Sequence, residues 1–156
     1  MQSASLIYPH QLFKEHPSID RKRRIYIVED HLFFKQFSFH KQKLVFHRAS
    51  MKLYADGLKK QNFDVSYIDS IHSLSSTEKL FEHFYKSGIQ TIYLCDPVDY
   101  LLTRRIKRFA MKYKIQLNVE ESPNFISSNK ANELFFAERK RYFMNDYYIH
   151  QRKEFQ

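Results

Sequence analysis

Residues 24–30 read Arg24-Ile25-Tyr26-Ile27-Val28-Glu29-Asp30. A short run of β-branched and aromatic residues closed by two acids predicts a strand. The same pattern recurs on both sides of it. Ser5-Leu6-Ile7-Tyr8-Pro9 predicts an earlier strand, joined to residues 24–30 by a polar loop with Pro17 that is too short for a long helix. Phe63 to Asp69, Thr91 to Asp96 and Gln116 to Glu120 predict three more.

Helical patterns separate these runs. From Lys43 to Gln61, Leu44, His47, Met51, Tyr54, Ala55 and Leu58 recur at helical spacings and share one face. Ser75 and Glu78 form a capping-box pair opening a helix that ends at Gly88. Asp99 is placed to cap the next helix, whose inward residues are Leu102, Ile106, Phe109, Ala110 and Tyr113. Strands separated by helices predict an α/β fold: a five-stranded parallel sheet with helices on both faces and the strand from Ile7 in its middle. Ser127 or Ser128 can then cap a helix containing Leu134, Phe135 and Phe136, and the tail 138–156 is rich in aromatic and basic residues.

At 156 residues the chain fits one domain, and its 43% hydrophobic content, with 15 Phe and 11 Tyr, is enough for a packed core. The net charge of +9 suits polyanions, and equally a soluble protein with lysine-rich helix faces. Cys95 is the single cysteine, so an internal disulfide and a cysteine-held zinc or iron–sulfur centre are excluded. No signal peptide and no run of about 20 apolar residues is visible, which points to a cytoplasmic setting.

The two glycines, Gly57 and Gly88, lie inside and at the end of helices. A glycine-rich phosphate cradle between strand and helix is therefore ruled out. Cys95 sits within a strand, where a buried inert thiol is the rule. Arg104, Arg108 and Lys112 form a basic stripe that reads either as a DNA phosphate contact or as a solvated face.

Polar residues gather at the strand ends, where ligands of such sheets bind. His10 and Gln11 follow the first strand, Glu29 and Asp30 close the second, and Asp96 closes the fourth. Each alone also reads as a turn former. Together they predict a cleft bordered by His10, Gln11, Glu29 and Phe33. Asp30 adds acceptors, Phe33 or Phe34 a stacking surface, and Lys43 and Arg48 on the following helix supply cations. No metal ligand set is predicted, because the histidines are scattered.

Three stretches carry a family resemblance: Leu6-Ile7-Tyr8-Pro9-His10-Gln11-Leu12-Phe13, Ile25 to Asp30, and Phe39-His40-Lys41-Gln42-Lys43-Leu44-Val45-Phe46-His47-Arg48-Ala49-Ser50-Met51-Lys52. So does the tail, from Glu121-Ser122-Pro123-Asn124-Phe125-Ile126 through Lys140-Arg141 and Tyr147-Tyr148 to Arg152-Lys153. The chain resembles bacterial deoxyribodipyrimidine photolyase-related proteins, the iron–sulfur branch of the cryptochrome/photolyase family. The resemblance implies a Rossmann-like sheet in the order 3-2-1-4-5. It implies an antenna pigment of the ribityl-lumazine type at the strand ends, with an acidic contact at Glu29 or its neighbour. Residues 1–126 would be the antenna domain and 127–156 a helical linker. FAD, the iron–sulfur cluster and the DNA-lesion pocket would belong to a helical C-terminal domain absent from this chain. The chain is then expected to be a non-catalytic part of a light-driven DNA-repair or light-sensing flavoprotein. It would meet DNA through the full-length protein, and could self-associate through its tail.

Overall fold

Alternate residues of a strand point to opposite faces, so one short strand can serve two cores. In the computed structural model, Ile25 and Ile27 pack with Met51, Ala55 and Leu58, while Tyr26 and Val28 pack with Leu80, Phe84, Leu102 and Ile106. The structure describes residues 2–137 and 139–155. The strands are β1 (Gln2–Ile7), β2 (Arg24–Val28), β3 (Val65–Ile68), β4 (Ile89–Cys95) and β5 (Gln116–Glu120). All neighbours pair in parallel, and the order is β3-β2-β1-β4-β5, with β1 in the middle as the sequence predicts.

The helices are α1 (His31–Phe34), α2 (Lys41–Lys60), α3 (Thr77–Lys86), α4 (Tyr100–Tyr113), α5 (Asn129–Ala137) and α6 (Met144–Glu154). One face of the sheet is covered by α2, the other by α3 and α4. No helix among the described residues is long and apolar enough to cross a membrane.

Local chemistry sets most boundaries. Asp30 caps α1 by accepting from the Leu32 amide at 2.8 Å, and Asp99 caps α4 by accepting from Leu102 at 2.8 Å. Gly88 follows α3 at φ +74°, the left-handed conformation that glycine tolerates. The capping box read at Ser75 and Glu78 is not formed. Ser76 occupies the cap position without a side-chain cap bond, and the Ser75 hydroxyl donates to the Ser70 carbonyl instead at 3.0 Å. The first strand also begins and ends earlier than its sequence suggests, because Pro9 and His10 already belong to the turn beyond it.

The chain divides into two units, before and after the Ser122–Pro123 bond. In the second, Ser128 caps α5 by accepting from the Ala131 amide at 3.0 Å. Phe135 stacks on His150 at 4.7 Å, and Phe136 on Tyr147 at 5.4 Å, so α5 and α6 form a hairpin with an aromatic interior. The first and last tail residues, Glu138 and Gln156, lie outside the described residues.

Candidate functional site

The alternation along β2 continues past its end and separates the two acids. Glu29 follows the Ile25–Ile27 side and meets α2. Asp30 follows the Tyr26–Val28 side and meets α3.

Glu29 is fully buried and fully engaged. Arg48 clamps it with two hydrogen bonds, Nε to Oε1 at 2.8 Å and Nη2 to Oε2 at 2.6 Å. The Tyr67 hydroxyl donates to Oε1 at 2.5 Å and the Ser70 amide to Oε2 at 2.9 Å. Burial alone would raise the Glu29 pKa, but the bonds from Arg48, Tyr67 and Ser70 outweigh it and hold the carboxyl below its ordinary value. The same clamp raises the pKa of Arg48, and burial with the Glu29 bond raises that of Tyr67. Arg48 Nη2 also reaches Asp69 at 3.2 Å and Ser70 Oγ at 2.9 Å. Its Nη1 takes no hydrogen-bond partner among the described residues.

That guanidinium forms part of the wall of a cleft of about 400 Å³, lined also by Phe34, Lys35, Leu44, Val45, Ala49 and Ser70. The cleft is mainly apolar, with one rigidly held donor group in its wall. Two carboxylates, Glu29 and Asp69, offset Arg48 and the rim cation Lys35. A neutral ring bearing carbonyl acceptors therefore suits it better than a phosphate.

Asp30 stands in different surroundings. Its Oδ1 accepts from the Leu32 amide and its Oδ2 from the Thr77 hydroxyl at 2.9 Å. Burial outweighs these bonds and raises its pKa. Beside it lies a second cleft of about 400 Å³, lined by His31, Gln36, Thr77, Arg105 and Arg108 among others. Arg105 donates to Gln36 at 2.5 Å.

Between the two sides, where strand order reverses, the crevice of β1 and β4 is stitched together. Gln11 Nε2 donates to the carbonyls of Cys95 at 2.9 Å and Asp96 at 3.2 Å. His10 Nε2 donates to the Pro97 carbonyl at 2.8 Å, which places the proton on that nitrogen and leaves Nδ1 a buried acceptor with no partner among the described residues. Burial lowers the His10 pKa, so the ring is held neutral. Phe33 lies against it, with ring centres 5.1 Å apart. Val98 in the same loop has φ +52°, an uncommon conformation for a β-branched residue.

The structure thus joins His10, Gln11 and Phe33 at the crevice and Glu29 with Arg48 on the α2 side. It sets Asp30 on the opposite face, and Lys43 over the Phe39 ring at 4.6 Å. Sequence reasoning missed Tyr67, Asp69 and Ser70. A signal existed: Val65, Tyr67 and Asp69 alternate along one strand, which puts Tyr67 and Asp69 on a common face.

A doubly wound α/β sheet with polar residues at its carboxyl edge defines a class of α/β domain that hosts many activities, not one. Two comparisons narrow it. The family model described as "Deoxyribodipyrimidine photo-lyase-related protein" matches residues 5–156. The "Uncharacterized protein R852" of Acanthamoeba polyphaga mimivirus is 34% identical over 171 aligned positions, covering 99% of this chain and 84% of that relative. The chain belongs to the deoxyribodipyrimidine photolyase-related family.

Proposed function

We propose that this chain is the antenna domain of a photolyase-related flavoprotein of the iron–sulfur branch, acting in light-driven DNA repair or light sensing in the cytoplasm. The observation that carries this reading is the Arg48 guanidinium, immobilised by Glu29 in the wall of an apolar cleft with Nη1 unused among the described residues. The residues fit a flat pigment of the ribityl-lumazine type. Phe34, Leu44, Val45 and Ala49 supply apolar walls, and Arg48 a donor for a ring carbonyl. Such a pigment, when bound, absorbs light and transfers the energy to a flavin held elsewhere. The chain's own work is to exclude water from the ring, orient it through Arg48, and keep Glu29 ionised so that Arg48 stays fixed. Glu29 is then a positioning residue. DNA, FAD and an iron–sulfur cluster would be met through a further domain, and the α5–α6 hairpin is the surface available for that domain or for a second copy.

A fluorescence titration with a ribityl-lumazine tests this. Saturable one-to-one binding is expected. Arg48→Lys, which keeps the charge and loses the fork, should weaken it about tenfold or more, because a charge-assisted hydrogen bond contributes about 1.5–3 kcal/mol. No saturable binding, or equal affinity in Arg48→Lys, would overturn the assignment.

A further inference from the structure

One face of α2 takes no part in the core. Val45, Phe46 and Leu53 are 67%, 71% and 76% exposed, and Ala49 lies exposed between them. At about 100° per residue, these positions gather on the outer side of the helix. Beside them run Lys41, Lys52 and Lys59. Spacings of eleven and seven return to within about 20° of the same direction, so the three lysines make one row along an edge of the apolar stripe. Among the described residues none of the three forms an ion pair, and Lys52 only faces the Tyr67 ring at 5.9 Å. A solvated helix face carries polar residues at such positions, whereas a contiguous apolar patch marks an interaction surface.

We propose that the outer face of α2 docks an acidic amphipathic helix of a partner protein, with its apolar row on Phe46 and Leu53, beside the cleft that Val45 and Ala49 line, and its carboxylates on the lysine row. Charge complementarity selects this occupant. Three aligned lysines without counter-ions call for a matching row of anions. A second copy of the chain brings the same lysines and the same net charge of +9, which opposes pairing. A flat anionic bilayer would press its charge on the whole face, Asp56 included, whereas a helix can set its carboxylates beside Lys41 and Lys52 and a neutral side chain over Asp56. Helix-on-helix docking uses apolar anchors at these spacings.

The test uses the full ¹⁵N-labelled chain and a synthetic helical peptide of about 18 residues, with leucines in one row and glutamates in the row beside it. Amide shifts confined to α2 are expected. A peptide with lysines replacing the glutamates should bind at least tenfold more weakly. Leu53→Glu should abolish binding and Lys52→Glu should weaken it at least tenfold. Both side chains are exposed, so an unchanged thermal melt checks that the fold is retained. Four outcomes would overturn the proposal. The glutamate peptide could cause no shifts at millimolar concentration, or the lysine peptide could bind equally well. Leu53→Glu could leave affinity unchanged. Phosphatidylglycerol vesicles or self-association could perturb α2 where the peptide does not.

Discussion

Glu29 and Asp30 are neighbours in sequence and end in opposite electrostatic worlds. On the α2 side, Glu29 sits in a network of ion pair, phenol and amide that keeps it charged and spends that charge fixing Arg48. On the α3–α4 side, Asp30 is a helix cap whose burial outweighs its two hydrogen bonds and favours the neutral form. Burial alone therefore does not fix an acid's charge state; its bonded partners decide it. What distinguishes the α2 side is a cation that the acid holds rigid against an open cleft.

The strongest way to break this contrast is Arg48→Leu. It leaves Glu29 buried without its partner and should cost about 3–5 kcal/mol, toward the lower end because the Arg48 side chain is 40% exposed. Chemical denaturation measures this, and a loss under 1 kcal/mol would show that Glu29 is not held as described.

Acid titration of stability sharpens the contrast once His16 is removed from it. Burial lowers the His16 pKa from 6.5 to about 4. The unfolded chain therefore takes up a proton that the folded chain refuses, and stability falls as pH drops through that window. The loss is on the order of 3 kcal/mol. His16→Asn should make the curve less steep between pH 6.5 and 4, with the remaining slope from His10 and His47, whose pKa values burial also lowers; an unchanged curve would contradict a neutral buried imidazole.

In that background the two acids should tilt stability in opposite directions. The depressed Glu29 contributes stability that is present above its ordinary pKa of 4.5 and lost as pH falls through the folded value. The raised Asp30 contributes stability at low pH that is lost as pH rises from 3.8 through its folded value. Asp30→Asn should then be within about 1 kcal/mol of the parent at neutral pH and compare worse in acid. Thermal melts at several pH values decide this, and the reverse trend would remove the distinction. The smallest effect is at the crevice between the two sides. Val98→Gly relieves the positive φ and should stabilise by about 1 kcal/mol at most, since glycine also loses more chain entropy on folding.

The strands were legible because each is a short apolar run bounded by turn residues, and the central place of β1 followed from the alternation of strands and helices. The family resemblance supplied the full order. The four-residue α1 was not legible, since one turn of helix has no periodicity. The capping box was misread because Ser75 and Ser76 are adjacent candidates, and only the tertiary contact to Ser70 separates them. Among site residues, His10, Gln11 and Phe33 do meet, and Glu29 does meet Arg48. Asp30 and Glu29 share the end of β2 in sequence, but period-two alternation assigns them to opposite faces. The sequence offers Gln11 as a ligand contact; in the structure its amide donates to the Cys95 and Asp96 carbonyls.

If a pigment binds on the α2 side and not on the α3–α4 side, tryptophan placed in each cleft should separate the two through affinity for a ribityl-lumazine. Ala49→Trp fills the cleft beside Arg48, and Arg108→Trp fills the one beside Asp30. Ala49→Trp should weaken binding at least tenfold while Arg108→Trp leaves it unchanged. Loss of binding in Arg108→Trp with Ala49→Trp unaffected would contradict it.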